Sequence, residues 1–423
     1  RLVELGDSVP ESIDGFCLSD DKNPLDDEKL FDVASYPQDM WAAPGTKAPN
    51  RAGFAKWGSY INSYCLKNFG RPLFMVCSAD LAGSTNISGF GKDYGDMKNG
   101  GWYDRETNTE GVILPQAITE FANAGLMVGA ASVNMSENPD EKFNGFYTAC
   151  STYAAFSYLK YGPMRLYSQL AQDCELKLGK VLWVAGHSGP ETAEDGRTHF
   201  GIFAPGNTQL FPEGEVINIH PWEFNEVPVM LAAAMKTDKP IIAIHLTRPG
   251  VTIPNREELG LGSHFEAAKG AYILRDYKPG SPRQGVIMVQ GTMSTANLIN
   301  ALPAIDAAGV NIKIVAVPSP QLFALESEEY QNTVLTPGDR MNSTYLTNTS
   351  RRTMVDWNFN ALADRYAMSS DWDDQWRSGG SGEEMCESAG IDTASITRGV
   401  VCFAEDFEKR MTELEMMMQG ARG

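Results

Sequence analysis

The chain has 423 residues, of which 43% are hydrophobic and 21% charged, and its formal net charge is −19. This length predicts two domains, or three at most, and the composition predicts a soluble globular protein with sizeable cores. The acidic balance excludes nucleic acid as a partner, because phosphate backbones require dense basic patches. The apolar segments are too short to span a bilayer, so we expect no membrane partner.

Cysteine usage indicates the compartment. The seven cysteines are scattered along the chain and form no Cys-x-x-Cys pair. Their odd number and wide spacing favour neither a disulfide framework nor a zinc site, so we expect no metal bound by this chain. A reducing, cytoplasmic setting fits this pattern best.

The first 275 residues predict an arm followed by one domain. Residues 1–45 are acidic and rich in turn formers, which is typical of an extended arm or linker. From 46 to 275, apolar runs typical of buried parallel strands alternate with segments of helical spacing, so we predict an α/β domain. The predicted strands are PLFMVCS (72–78), KVLWVAG (180–186), EVINI (215–219) and PIIAIHL (240–246), and the predicted helices are AITEFANAGLMVGAASV (117–133), FYTACSTYAAFSYLKYG (146–162) and NEVPVMLAAAMK (225–236).

A second α/β domain is predicted over 285–423. The segment YKPGSPRQ (277–284) is typical of a linker. GVIMVQG, the helical STANLINALPAIDAAG and NIKIVAV then form a strand-helix-strand unit, and the helical AEDFEKRMTELEMMMQ closes the chain. The fold class is therefore α/β, with two consecutive domains built on parallel or mixed sheets.

Polar side chains follow several predicted strands directly. Asp80 and Ser84 come after the strand that ends at Ser78, His187 follows the next predicted strand, and Arg248 follows PIIAIHL. Ligands of open α/β sheets bind at the carboxyl ends of the strands, so these side chains predict a binding rim. The alternative for each residue alone is an ordinary polar loop or a surface ion pair.

Glu120 and the aromatic residues after it each allow two interpretations. Glu120 begins a helical segment that carries no further charge up to Val133. It is either a first-turn carboxylate favoured by the helix dipole or a catalytic acid in an apolar site. The aromatic side chains between Phe143 and Tyr161 form either core packing or a stacking wall for a flat heterocycle.

The loop GHSGPETAEDGRTHFG (186–201) holds two of the five histidines and several carboxylates. Two histidines twelve residues apart, with no third nitrogen or thiolate nearby, are a weak metal signal. A serine-nucleophile elbow requires Gly-x-Ser-x-Gly, which is absent from this loop. The loop therefore indicates hydrogen bonding to a polyhydroxylated ligand.

Four stretches resemble, in this order, motifs of the transketolase pyrimidine-binding domain. CSADLAGSTN, AITEFANAGLM, GHSGPETAEDGRTHF and HLTRPG are similar to SADLxxSN, GIxEHxM, HDSxxxGEDGPTHQ and LSRQ. The second predicted domain resembles the transketolase C-terminal domain. The resemblance covers residues 46–423 and is strongest in the loop, where the spacing of His187, Asp195 and His199 is the family's own.

The resemblance implies a thiamine-diphosphate site. Glu120 would hydrogen-bond N1′ of the cofactor's aminopyrimidine, and Asp80 would lie near that ring. Tyr153 and Phe156 match aromatic residues that pack on the pyrimidine. The cofactor would carry a two-carbon ketol unit from a ketose phosphate to an aldehyde, while the protein orients the reactants.

The resemblance also implies a sugar-phosphate site in the same domain. Arg51, Ser84, His187 and Arg248 match positions that hold the phosphate and neighbouring hydroxyls. Asp195 would bind the donor's C2 hydroxyl. His199, counted with Glu120 and His187 among the catalytic residues, would stabilise the oxyanion or hydroxyl of the intermediate.

Departures from the family pattern concern the substrate and the missing half of the site. Phe121, Arg197 and Phe200 replace the usual His, Pro and Gln, and Arg197 could favour a more anionic substrate. The family's GDG motif for diphosphate and Mg²⁺ has no match, so a diphosphate-binding subunit or domain is expected to complete the site. Self-association across a two-fold interface is expected as well.

Three other functions stay open from the sequence. The beta subunit of a 2-oxo-acid dehydrogenase has a helix similar to TEFANAGLMVGAA but lacks the EDGxTH loop. A deoxyxylulose-phosphate synthase shares a DGPTH loop. A scaffold subunit without activity is the third, and the joint presence of Glu120, Asp195 and His199 disfavours it.

Overall fold

A computed structural model describes residues 18–95 and 100–421. The strands are β1 (Lys47–Ala48), β2 (Phe74–Ser78), β3 (Tyr147–Tyr153), β4 (Val181–Gly186), β5 (Val216–Ile219), β6 (Ile241–His245), β7 (Val251–Thr252), β8 (Tyr272–Arg275), β9 (Val286–Gln290), β10 (Lys313–Ala316), β11 (Ser343–Thr347) and β12 (Met368–Ser369). The α-helices are α1 (Asn50–Phe69), α2 (Glu120–Ala131), α3 (Tyr161–Asp173), α4 (Ala204–Thr208), α5 (Glu226–Met235), α6 (Thr292–Ala307), α7 (Pro320–Ala324), α8 (Glu328–Val334), α9 (Pro337–Met341), α10 (Gly382–Ser388), α11 (Thr393–Glu405) and α12 (Phe407–Gly420). The predicted α/β class is confirmed.

The first sheet has the strand order β2-β3-β4-β6-β5, and all its strands are parallel. Strands β4, β5 and β6 are buried along their whole length, as expected for apolar runs covered by helices on both faces. The four strands predicted in this segment are confirmed. Since the strands are parallel, their carboxyl ends and the loops after them lie at the same edge.

The helix predicted over 146–162 is wrong. Residues Tyr147–Tyr153 form β3, and a 3-10 helix follows at Ala154–Lys160. β3 lies between β2 and β4 and pairs with both, so backbone pairing and burial decide its conformation. Alanine and aromatic residues with no glycine or proline between them fit either period, which made the segment ambiguous.

The second sheet is mixed, with the order β12-β11-β9-β10-β8. β9 pairs in parallel with β10 and β11, whereas β8 runs antiparallel to β10 along one edge. β8 precedes the predicted linker, so the sequence analysis groups it with the first domain. Its pairing with β10 nevertheless places it in the second sheet. The predicted strand-helix-strand unit corresponds to β9, α6 and β10.

Residues 20–40 contain short 3-10 helices that pack on the first sheet's helical layer. Leu30, Tyr36 and Met40 are buried in the same core as α1. The Trp57 indole N–H donates to the Tyr36 hydroxyl at 3.1 Å. The part of the predicted arm before residue 18 lies outside the described residues.

A buried charge network joins the two sheets. Arg256, 9% exposed, donates to Glu223 at 2.8 Å, to Glu226 at 3.1 Å and to the Tyr272 hydroxyl at 3.0 Å. We call each sheet with its helices a unit, the first built on β2–β6 and the second on β8–β12. Glu226 lies on α5 of the first unit, and Tyr272 begins β8 of the second. Burial raises the pKa of Glu226, while Arg256 opposes that effect. One guanidinium therefore compensates two buried carboxylates at the junction.

Among the described residues, no helix has both the length and the apolar character needed to cross a membrane.

The Arg256→Ala variant is expected to lose about 3–5 kcal/mol of unfolding free energy, because two buried carboxylates are left without a cation. Urea unfolding followed by circular dichroism measures this loss. Arg105→Ala, which removes an exposed arginine, is the matched control. A loss for Arg256→Ala no larger than the control's would contradict the role of the network.

Candidate functional site

Functional side chains converge at the carboxyl edge of the first sheet. Ser84 lies in the loop after β2, Tyr153 ends β3, His187 follows β4 and Arg248 follows β6. Arg51 reaches the same edge from the first turn of α1. The predicted rim is therefore formed by loops of four parallel strands and the start of one helix.

Arg51 connects two of these loops. Its Nη1 donates to the Ser84 carbonyl oxygen at 2.5 Å and contacts His187 Nε2 at 2.6 Å. A guanidinium can only donate, so Nε2 of His187 must accept and the ring is neutral, with its proton on Nδ1. Burial, followed by the charges of Arg51 and Arg248, lowers the pKa of His187 to about 3. The imidazole therefore stays uncharged at neutral pH.

The backbone at His187 is in an uncommon conformation. Its φ is +62°, in the left-handed region that non-glycine residues seldom adopt. The side chain is 1% exposed, and the next residue, Ser188, donates its N–H to the Leu246 carbonyl at 2.6 Å. Such strain persists only where the surroundings fix it, and it concentrates at functional sites.

Tyr153, Phe156 and the two histidines form an aromatic cluster beside Arg51. The Tyr153 ring lies edge-on to His187 at 4.0 Å and to His199 at 5.3 Å between centroids. Phe156 meets His199 edge-on at 5.4 Å. The Tyr153 hydroxyl also bonds the Ser84 hydroxyl at 3.1 Å. These contacts hold His199 at the strand edge with its ring half-buried.

Arg248 pairs with both carboxylates of the EDG segment, Glu194 and Asp195. Burial, and then the nearby charge of Arg248, lower the pKa of Arg51. Two arginines thus lie close together at this edge, in a chain of net charge −19. The edge combines a local positive charge with carboxylates that can accept hydrogen bonds from hydroxyls.

Glu120 is joined to the same edge through β3. It begins α2, is 7% exposed, and accepts a hydrogen bond from the Thr152 hydroxyl at Oε1 over 3.0 Å. Thr152 directly precedes Tyr153, and no described residue bonds Oε2 of Glu120. A buried carboxyl with a free oxygen beside half-buried aromatic rings fits a flat heterocycle that carries a ring nitrogen.

Among the described contacts, two predicted site residues make no hydrogen bond or ring contact with this cluster. Asp80 accepts from the Leu81 N–H at 2.5 Å, and no described hydrogen bond joins it to the histidines. Arg197 is exposed and donates to the carbonyl oxygen of Trp376 at 3.3 Å. Arg197 therefore faces a loop of the second unit in this structure.

The sequence analysis missed three residues around the loop: Glu194, Glu191 and Trp376. Glu194 shares Arg248 with Asp195, and its position beside Asp195 in the EDG segment could have identified it. Glu191 is 2% exposed, an unusual burial for a glutamate in a glycine-rich loop. Trp376 lies 179 residues from Arg197, and no local signal connects them.

Within the described residues, no group of three or more His, Cys, Asp or Glu side chains could hold a metal ion.

No family model matches the chain, but individual relatives do. Transketolase 1 of Candida albicans is 30% identical over 270 residues, which cover 63% of this chain and 35% of that protein. The transketolase of Bacillus subtilis is 25% identical over 294 residues, which cover 69% of this chain and 38% of that protein. The matches lie in the C-terminal part of these transketolases, so the chain is homologous to that part.

Solved structures agree on the fold. A transketolase from Leishmania mexicana superposes with a TM-score of 0.66 at 16% identity, covering 86% of this chain and 47% of that one. A transketolase from Campylobacter jejuni superposes with a TM-score of 0.63 at 17% identity, covering 89% of this chain and 50% of that one. The chain thus spans about a third of the curated relatives and about half of these solved chains, and it has the fold of that half.

A His187→Asn variant tests the buried neutral imidazole. His187 has a folded pKa below its unfolded value, so it contributes stability above about pH 6.5 that is lost as the pH falls toward 3. In that window the unfolding free energy of the wild type is expected to fall by about 1.4 kcal/mol per pH unit relative to that of the variant. Urea unfolding at pH 7, 6 and 5 measures this difference. Parallel profiles for the two proteins would show that the imidazole is not held neutral.

Proposed function

We propose that this chain forms the pyrimidine-binding half of a thiamine-diphosphate-dependent transketolase. The reaction breaks the C2–C3 bond of a ketose phosphate, releases an aldose, and forms a new carbon–carbon bond between the two-carbon ketol unit and an acceptor aldehyde. A diphosphate-binding subunit or domain completes the site. The observation that carries the proposal is the cluster of Arg51, His187, Arg248 and Glu120 at one sheet edge, in a chain homologous to transketolases.

The arginines form the anion side of the proposed site. Arg51 and Arg248 are close enough for each charge to affect the other, and a phosphate group would relieve that repulsion. The neutral His187 adds no third charge and offers its ring N–H to a hydroxyl or phosphate oxygen. The Ser84 hydroxyl lies on the same side. This arrangement supports a sugar phosphate as the substrate class.

In the EDGRTH segment, the Asp195 carboxylate contacts a sugar hydroxyl and the His199 imidazole contacts the reacting centre. Asp195 accepts from the donor's C2 hydroxyl, and Arg248 holds its carboxylate in place. His199, held between Tyr153 and Phe156, donates a hydrogen bond to oxygen where negative charge develops.

Glu120, Tyr153, Phe156 and Asp80 form the cofactor side. When bound, thiamine diphosphate would supply a nucleophilic carbon for the transfer of the ketol unit. Glu120 holds a proton at the aminopyrimidine nitrogen, and Thr152 fixes the carboxyl through its other oxygen. The rings of Tyr153 and Phe156 exclude water from that nitrogen.

An apolar face on α2 and α3 supports the proposal that a partner subunit or domain binds this chain. Exposed side chains on and beside these helices include Ile118 at 82%, Phe121 at 63% and Leu166 at 66%. Several large apolar side chains exposed on neighbouring helices are typical of an interface. Because Glu120 begins α2, a partner that covers this face would also enclose the cofactor. Such a partner would bind the diphosphate and Mg²⁺, and pairing across a two-fold axis fits the same face.

The principal experiment reconstitutes the chain with its partner and assays xylulose 5-phosphate with ribose 5-phosphate, thiamine diphosphate and Mg²⁺. Glu120→Gln is expected to lower kcat at least a hundredfold, because the carboxyl can no longer exchange a proton with the cofactor. Glu175→Gln, which removes an exposed carboxylate, is the control and is expected to keep full activity. Unchanged activity in Glu120→Gln would instead favour a scaffold role.

The isolated chain tests the split site separately. It is expected to bind thiamine diphosphate weakly and to show no ketol transfer until the partner is added. Ketol transfer by the purified chain alone would refute the shared site. Activity with pyruvate as donor, in place of the ketose phosphate, would point to a synthase of the deoxyxylulose-phosphate type.

Arg197→Ala addresses substrate preference. Arg197 is exposed beside His199, where an anionic substrate group would meet its charge. The variant is expected to raise KM for phosphorylated substrates roughly two- to fivefold with little change in kcat, since an exposed charge pair contributes up to about 1 kcal/mol. Steady-state kinetics checks this, with Arg105→Ala, at an exposed position outside the proposed site, as the control. An unchanged KM would remove Arg197 from the proposed site.

A further inference from the structure

A cavity of about 930 Å³ opens between the two units, beside the ion pair of Arg248 with Glu194. Its walls come from the segment that leads into β1, the segment around β7, the helix α6 and the start of α10. Glu194 lines the cavity and also binds Arg248, so the cavity adjoins the sheet-edge site without being part of it. This volume is typical of a small-molecule site.

The lining is acidic. Four glutamates contribute to it, Glu191, Glu194, Glu258 and Glu383, of which Glu194 is already paired with Arg248; Lys47 is the one lysine or arginine among the described lining residues. Such a surplus of carboxylates in a crevice concentrates cations. The ligand class that this charge selects is cationic.

Glu191 supplies a second and independent indication of a ligand. Its side chain is 2% exposed, it lines the cavity, and neither carboxylate oxygen accepts a hydrogen bond from another described residue. A buried carboxylate without a partner is costly, and native structures seldom retain one without a use. A cation bound in the cavity would provide the missing partner.

The arrangement of the carboxylates favours an extended organic cation over a metal ion. No three of the described acidic, histidine or cysteine side chains converge closely enough to hold a metal. Carboxylates that do not converge on one point match ammonium groups spaced along a flexible chain. The amides of Asn297 and Asn300, which also line the cavity, can accept further N–H bonds between those charges.

We propose that this acidic cavity binds an aliphatic polyamine, with one ammonium group bound to Glu191 and others bound to Glu258 and Glu383. The proposal does not depend on the transketolase assignment, because it uses the charge and geometry of the cavity alone.

Proton linkage gives a specific signature of Glu191. Burial raises the pKa of Glu191 to about 7, against the effects of its own backbone N–H and of Arg248. The other charged or titratable groups around it are Glu194, Glu383 and the Cys386 thiol. At pH 7 the carboxyl is therefore partly protonated, and an ammonium group that binds its ionised form releases a proton.

Isothermal titration of the full chain with spermidine tests the proposal. We expect saturable binding at one site, with proton release at pH 7 that is measured by comparing buffers of different ionisation enthalpy. Glu191→Gln should abolish the proton release and weaken binding roughly tenfold, as expected for a charged hydrogen bond of about 1.4 kcal/mol. Glu258→Gln and Glu383→Gln, both at exposed positions, should each weaken binding roughly threefold.

Glu408→Gln is the matched control, since it removes the same charge from an exposed position on α12. Its affinity for spermidine should equal that of the wild type. Equal weakening by Glu408→Gln would show non-specific attraction to an acidic protein and overturn the proposal, and so would the absence of saturable heat. If Glu191→Gln does not fold, the two exposed variants decide the outcome by the same comparison.

Discussion

The bond between Arg51 and His187 is the contact on which the arrangement of the site depends. It ties the start of α1 to the loop after β4, and the same guanidinium holds the loop after β2 through the Ser84 carbonyl. The bond exists only while His187 is neutral, because a protonated ring has no acceptor left for a guanidinium. A protonated ring would also add a third positive charge beside Arg51 and Arg248. The burial that keeps the imidazole uncharged is therefore the condition for three elements to meet.

The second unit holds the functional loop from the other side. The Gly379 N–H donates to the Ala193 carbonyl at 3.2 Å, and the Ser350 N–H donates to the Ile202 carbonyl at 3.1 Å. With the bond from Arg197 to the Trp376 carbonyl, these contacts span the loop from its first short helix to the residues after His199. The loop that carries both histidines is thus fixed between the sheet edge and the second unit, which is the kind of support that a preorganised site requires.

The sequence was informative where a strong local pattern coincided with the final structure. Apolar runs predicted β2, β4, β5 and β6, and the polar residues directly after β2, β4 and β6 lie at the shared edge because parallel strands bring their ends together. The helix prediction for residues 146–162 failed because alanine and aromatic residues suit a helix as well as a strand. Only the pairing of β3 with its two neighbouring strands distinguishes the two conformations. Contacts such as Arg197 with Trp376 could not be anticipated, since they join residues far apart in sequence.

The position of β8 limits how this protein can be divided or recombined. The chain leaves the first unit and enters β8, which covers the edge of β10 before the predicted linker begins. Tyr272, the first residue of that strand, also bonds Glu226 and Arg256 of the first unit. A cut at the linker would therefore leave the edge strand of the second sheet attached to the wrong piece. The two α/β units are consecutive in sequence, yet they are not interchangeable modules, and gene fusion or fission at this point would have to carry β8 with the second sheet.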